Sequence, residues 1–189
     1  MNTENDQYYI EKYRAGDEEA LKWLINTYTK PIYNFVYRTI QHDTETVDVT
    51  QDIFVKMWKR LDTYNPQYSF KTWLFTIAHH TCIDYLRMRK NIPLSYFDAD
   101  DGRNPITDTL TDESANSDIE AMKNEQTTQI KIAMQKLPPI YQSVISLRYT
   151  NDFTFEEIAR VLDKPVDTIK SQYRRAIHMM RQQLHTHPK

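Results

Sequence analysis

Glycine is nearly missing: the 189 residues hold two, Gly16 and Gly102. Phosphate-cradling glycine loops and Asn-Gly hairpins therefore have almost no raw material. Cysteine is down to Cys82, so no internal disulfide can form and a reducing compartment is expected. No run of about 18 apolar residues occurs and no signal peptide is read, so we expect a cytoplasmic protein without membrane insertion. Strong charge is lacking too: the formal net charge is -2. Binding that grows with the number of phosphates neutralised would be weak for the free chain.

What is present is a composition of 40% apolar residues, enough for the core of one or two ordinary domains. The charge is uneven. Residues 1–92 hold 12 Lys+Arg and 12 Asp+Glu, residues 93–125 hold 2 against 9, and residues 126–189 hold 10 against 5. A neutral, an acidic and a basic segment suggest three separate jobs. The acidic one mixes Pro, Gly, Ser, Thr and carboxylates without apolar periodicity, so it is read as a flexible linker. Its DADDG stretch resembles a calcium loop, but the ligand spacing is one residue short and position 12 falls at Thr109.

Residues 1–92 read as a helix bundle. Gly16 suits the end of one helix and Asp17 the cap of the next, with Glu18 and Glu19 at its positive end. Ala20, Leu21, Leu24 and Tyr28 form a stripe, and Pro31 is expected to open a further helix carrying Ile32, Phe35 and Val36. In ETVDVTQDIFVKMWKRL, Ile53, Phe54, Met57, Trp58 and Leu61 are expected to face the bundle. Asp48, Asp52, Lys56 and Lys59 fall opposite, as a solvated face or a docking surface.

TYNPQYSFKTWLFTIAHHTCIDYLRMRK begins with a turn-rich loop, Thr63 to Phe70, around Asn65-Pro66. In the helix after it, Phe70, Leu74, Ile77, Ala78, Thr81 and Tyr85 point inward. Trp73, Thr76, His80, Ile83 and Arg87 share another side, with Lys90 near its end. Rings beside hydrogen-bonding and cationic groups suit single-stranded nucleic acid; Trp73 in the core is the equal alternative. His79, His80 and Cys82 lack a second ligand pair at matching spacing, so no metal is expected.

Residues 126–189 give three helical patterns. Pro138 and Pro139 open the first, with Val144, Ile145 and Leu147 as its apolar content. Thr154 and Glu157 form a capping box for the second, whose inward face is Ile158, Ala159 and Leu162. The third starts with Pro165 at its first position or with Asp167 as its cap. Ile169, Tyr173, Ala176, Ile177, Met180 and Leu184 make its buried stripe. Asp167, Lys170, Ser171, Arg174, Arg175 and His178 lie outward, and Gln172 sits near the core edge. This fits a helix-turn-helix with its recognition helix in a major groove; a helical protein-binding module is the plainer alternative.

Taken in order, GDEEAL, DVTQDIFVKMW, FKTWLFTIAHHTCIDYLR and LPPIYQSVISLRYTNDFTFEEIARVLDKPVDTIKSQYRRA resemble an extracytoplasmic-function (ECF) sigma factor, a bacterial RNA polymerase subunit with regions 2 and 4. The resemblance implies an all-α chain of two small helical domains, region 2 over 1–92 and a region 4 helix-turn-helix over 126–189, joined by the acidic linker 93–125. It places Asp48, Gln51, Asp52, Phe54 and Lys56 against the clamp helices of the polymerase β′ subunit. It assigns Tyr64, Trp73, Thr76, His80, Arg87 and Lys90 to melting and reading the −10 element. Thr168, Lys170, Ser171, Arg174, Arg175 and His178 fall to the −35 element.

Core polymerase (β′ clamp helices and β flap), promoter DNA and an anti-sigma factor are the implied partners, with no cofactor. Departures from the family pattern are His80 for a frequent Asn, Asp167 for a small Gly, and Gln172 for a cation. All three touch base specificity. The rival reading is an autonomous helix-turn-helix regulator binding operators without polymerase. An enzyme is not expected, because no nucleophile–base set, metal quartet or nucleotide fingerprint is found.

Overall fold

The computed structural model describes residues 3–90 and 125–185. Most of the acidic segment, including DADDG and Thr109, lies outside the described residues, and Glu125 already belongs to a helix. Among the described residues there are α-helices, one 3-10 turn and no strand. The helices of the first half are α1 (Thr3–Arg14), α2 (Glu18–Ile40), α3 (Asp43–Arg60) and α4 (Phe70–Lys90), with the 3-10 turn at Leu61–Thr63. Those of the second half are α5 (Glu125–Gln135), α6 (Pro139–Thr150), α7 (Phe155–Leu162) and α8 (Val166–His185).

The helix boundaries follow local chemistry. At the end of α1 the amide of Asp17 donates to the Lys12 carbonyl at 3.0 Å and that of Gly16 to Tyr13 at 2.9 Å. This pair of bonds needs Gly16 at φ 98°, a left-handed backbone that glycine adopts without steric cost. Asp17 then accepts the Glu19 amide at 3.0 Å and starts α2. At α7, Glu157 N–H donates to Thr154 Oγ1 at 3.2 Å and Thr154 N–H donates back to Glu157 Oε2 at 2.8 Å. That is the capping box expected from the sequence.

Pro31 does not open a helix; it lies inside the continuous α2. An internal proline costs about 3 kcal/mol. The stripe Leu24, Tyr28, Ile32, Phe35 and Val36 runs unbroken past it and is fully buried. Each such side chain contributes about 1.5–3 kcal/mol, so packing outweighs the missing bond. The start of α8 also differs from both alternatives read from the sequence. Pro165 precedes the helix and its carbonyl accepts the Ile169 amide at 3.1 Å, while Asp167 sits in the first turn, at the positive helix end.

In the first half α2 packs on α1, α3 and α4, and α3 packs on α4. In the second, α8 packs on α5, α6 and α7. The two helical units are docked: α7 lies on α4, α6 lies on α2, and one apolar core runs through both. This contact explains two features of burial. Every residue from Ile140 to Leu147 of α6 is buried, the polar Gln142, Ser143 and Ser146 included. Helix α4 is buried on a second face, where Thr72, Phe75, His79 and Cys82 join the inward stripe.

The docking contact mixes rings and cations. Phe75 of α4 meets Phe153 edge to face at 5.1 Å. Lys71 lies 4.5 Å from the Phe153 ring centroid and donates to the Asn151 carbonyl. Arg38 of α2 donates to Ser146 Oγ at 3.2 Å and Thr150 Oγ1 at 2.6 Å, and Gln41 Nε2 donates to Gln142 Oε1 at 3.0 Å. Burial depresses the pKa of both Arg38 and Lys71, which marks them as cations partly stripped of water.

Candidate nucleic-acid interface

Three exposed faces result, each on a different helix. On α3 the buried stripe is Val49, Ile53, Phe54 and Met57, leaving Val47, Asp48, Gln51, Asp52 and Val55 outward. Phe54 is 9% exposed and belongs to the core, so a partner docking on this face would meet its neighbours rather than its ring. Lys56 is half-buried; it pairs with Asp52 at 2.7 Å and donates to Thr81 Oγ1 at 3.3 Å. Trp58 does not face the bundle. It is 51% exposed, held by an indole N–H donated to Tyr13 Oη at 2.7 Å. Its position at the edge of the stripe, beside α1, lets a polar N–H be satisfied without burial.

The second face is one edge of α4. Trp73 and Thr76 are half-buried and His80 and Arg87 exposed, all on the same side at 100° per residue. Trp73 packs at 5.4 Å from Tyr64 and 5.6 Å from Phe70, so the ring is both wall and surface. The Thr76 hydroxyl is spent on the Thr72 carbonyl at 2.9 Å, and Arg87 lies 3.7 Å from Asp84. The side chain of Lys90 lies outside the described residues.

Tyr64 stands apart from this edge. It is 5% exposed, its hydroxyl donates to the Tyr68 carbonyl at 2.6 Å, and Arg14 donates to its own carbonyl at 3.2 Å. It shapes the loop before α4 and offers no free ring face to a base. Tyr68 is the exposed ring of that loop, 5.9 Å from the Arg160 guanidinium of α7. Helical periodicity does not reveal the exposure of Tyr68, because it lies in a loop.

The third face is the outward side of α8. Thr168, Lys170 and Ser171 are half-buried, and Arg174, Arg175 and His178 are exposed, with His178 Nε2 3.0 Å from Gln182 Nε2. Ile169, Gln172 and Ala176 line the reverse side. Gln172 is 1% exposed and its Oε1 has no hydrogen-bond partner among the described residues. A side chain so placed acts through packing and cannot reach a base edge.

The Cys82 thiol and the His79 imidazole of α4 are buried. Burial pushes the Cys82 thiol far above its usual range. It also pushes His79 down to about 3, with His80 and Lys164 adding positive charge nearby. His79 is therefore a neutral core group at the docking contact, its Nδ1 without a partner. Among the described residues no group of three or more His, Cys, Asp or Glu could hold a metal ion, and no helix is long and apolar enough to cross a membrane.

Each half of the chain matches a known family. The family described as "Sigma-70 region 2" matches residues 24–92, and "Sigma-70, region 4" matches residues 128–180. The ECF RNA polymerase sigma factor SigW of Bacillus subtilis is 31% identical over 180 residues, covering 93% of this chain and 94% of that protein. The ECF RNA polymerase sigma-E factor of Escherichia coli K12 is 31% identical over 173 residues, 90% of each chain.

Two solved structures share the fold. The sigma factor RpoE bound to the anti-sigma factor NepR, from Bartonella quintana, has a TM-score of 0.69 at 21% identity, covering 88% of this chain and 98% of that one. CnrH in complex with the cytosolic domain of CnrY has a TM-score of 0.69 at 20% identity, covering 97% and 99%. With both region families matched in order and relatives 31% identical across nine-tenths of their length, the chain belongs to the ECF sigma factors of the sigma-70 family.

Proposed function

We propose that this sigma factor divides promoter recognition among its three exposed faces. The α3 stripe of Asp48, Gln51 and Asp52, with Lys56 at its edge, docks on core RNA polymerase. The α4 edge of Trp73, Thr76, His80 and Arg87 holds the melted −10 strand, stacking bases on a ring and meeting phosphates with cations. The α8 row of Thr168, Lys170, Ser171, Arg174, Arg175 and His178 grips the −35 duplex. The observation that carries this reading is the pairing of an outward polar and cationic row on α8 with a buried reverse side. Such a helix presents a fixed register to a groove.

Melting needs no nucleotide hydrolysis in this scheme. Bases held outside the stack offset an unpairing cost of a few kcal/mol. Sigma factors as a class are not enzymes, and the scheme asks no catalytic step of this chain. It works in the cytoplasm, where core polymerase is found. The Bartonella quintana sigma factor is bound to an anti-sigma factor, and we extend that kind of partner to this chain.

Full promoter engagement requires the docked halves to part. Two promoter elements about two duplex turns apart are separated by roughly 70 Å. A compact body of the described length has a radius of gyration of about 15 Å, so it cannot touch both. A chain of 34 residues, the number between Lys90 and Glu125, spans at most about 120 Å. Tethering through polymerase also supplies effective concentration where the small cationic row gives little affinity alone. An autonomous operator-binding regulator is not favoured, because the first half carries a matched region 2 of its own.

The test is a binding titration of −35-type duplex by the chain alone and by the chain with core polymerase. Sequence-specific binding is expected with polymerase only. Tight, specific binding by the free chain, unchanged by polymerase, would sink the proposal.

A further inference from the structure

Beside the base-reading row of α8 lies a cluster that this row does not use. Tyr149, one residue before the end of α6, is 61% exposed. Its hydroxyl is 2.6 Å from that of Tyr173 on α8, and the two rings stack at 6.1 Å. Phe155, the first residue of α7, meets Tyr173 edge to face at 5.3 Å and so fixes its ring. The Arg148 guanidinium lies 5.1 Å from the Phe155 centroid and donates one N–H to the Phe153 carbonyl at 2.8 Å. The Tyr149 hydroxyl and burial raise the pKa of Tyr173, while the positive charges of Arg148 and of Arg181, about two turns further along α8, act in the opposite direction.

Two hydroxyls in contact can share only one hydrogen between them, which leaves one O–H to point outward. An outward O–H with Arg148 anchored on the adjoining Phe155 ring and Arg181 on the same side of α8 is a donor set for an anionic oxygen. At 100° per residue, Tyr173 shares its side of α8 with Lys170 and Arg181, between the buried stripe and Arg174. The oxygen must therefore lie at the margin of whatever α8 grips. A duplex entered by a helix offers its phosphodiester backbone at that margin.

We propose that Tyr149 and Tyr173, with Arg148 and Arg181, clamp a backbone phosphate of the −35 duplex and set the register of α8 in the groove. The four are positioning residues and carry no base preference. This rests on the assignment of α8 to the −35 element. It also gives Tyr149 a role that spacing alone could not suggest, because its partner is 24 residues away on another helix.

Equilibrium binding of the full chain with core polymerase to a labelled promoter tests the clamp, with Tyr149→Phe, Tyr173→Phe, the double variant and Arg181→Ala. Phe keeps the rings, so packing survives. Each Tyr→Phe change should weaken binding by about 3–10-fold, equally for −35 sequences with different bases. The double variant should lose little more than either single one, because the hydroxyls act as a unit. Arg181→Ala should lower the salt dependence by about one phosphate contact, and the Tyr changes should not.

Wild-type affinity for Tyr149→Phe, or a changed base preference, would overturn the clamp alone. Loss of core-polymerase binding in Tyr149→Phe would make the pair a polymerase contact and overturn it as well. A wild-type complex that ignores the −35 sequence would instead overturn the assignment of α8.

Discussion

Phe75 and Phe153 meet edge to face, ring centroids 5.1 Å apart and planes inclined by 67°, although they belong to different halves of the chain. Both are fully buried. Their contact is the apolar centre of the docked arrangement, with Lys71 over the Phe153 ring and Arg38 holding the far edge. Replacing Phe153 by Ala should cost about 3–5 kcal/mol of stability and free the halves from each other. Energy transfer between dyes on α1 and on α8 measures this. Lower transfer in Phe153→Ala is expected, and transfer equal to wild type would contradict the role of the pair.

His79 sets a pH dependence. Its folded pKa is about 3, below the unfolded value of 6.5, so the folded state binds fewer protons between those limits. Stability from keeping His79 neutral is fully present above pH 6.5 and is lost as pH falls toward 3. Full protonation would cost on the order of a few kcal/mol. His80 and Lys164 add to the penalty as neighbouring positive groups. Urea melts of wild type and His79→Leu at pH 7 and pH 5 check this. Wild type should lose more stability than the variant on acidification, and equal losses would refute the assignment.

Gln172 offers a separation of stability from recognition. Its buried, unpartnered Oε1 carries an uncompensated desolvation cost of about 1–3 kcal/mol. Gln172→Leu should therefore raise the unfolding midpoint while leaving the ranking of −35 sequences unchanged. A changed ranking would show that Gln172 reaches the duplex.

Arg174 is the complementary case. It is exposed on the outward row of α8. Arg174→Ala should weaken binding of the upstream element while core-polymerase binding stays at wild-type strength. Equal loss of both would contradict the division of labour between α3 and α8.

Much of this organisation was legible in the sequence because it is local. Gly16, Asp17, Thr154 and Glu157 mark helix ends through bonds to neighbouring residues, and each sits where those bonds require. The outward row of α8 follows from helical period and from Gln172 lying at the core edge. The docking of the halves was not legible, because periodicity reports that a face is apolar and not what covers it. Phe75 and Cys82, apolar residues off the main stripe of α4, are the available signal. Pro31 misled because propensity counts the lost bond and not the continuous stripe beneath it. Family resemblance, which carries no burial information, assigns Tyr64 and Phe54 to surfaces, whereas both side chains are buried.

The most direct test of the whole account is initiation in vitro. Purified chain, core RNA polymerase and a library of randomised promoters should yield transcripts starting at a common distance from two short elements. The same reaction with Asp48→Ala and Asp52→Ala together should lose transcripts because polymerase is not bound. With Arg174→Ala, polymerase binding should persist and dependence on the upstream element should fade. An absence of chain-dependent transcripts, alongside tight operator binding by the chain without polymerase, would contradict the account.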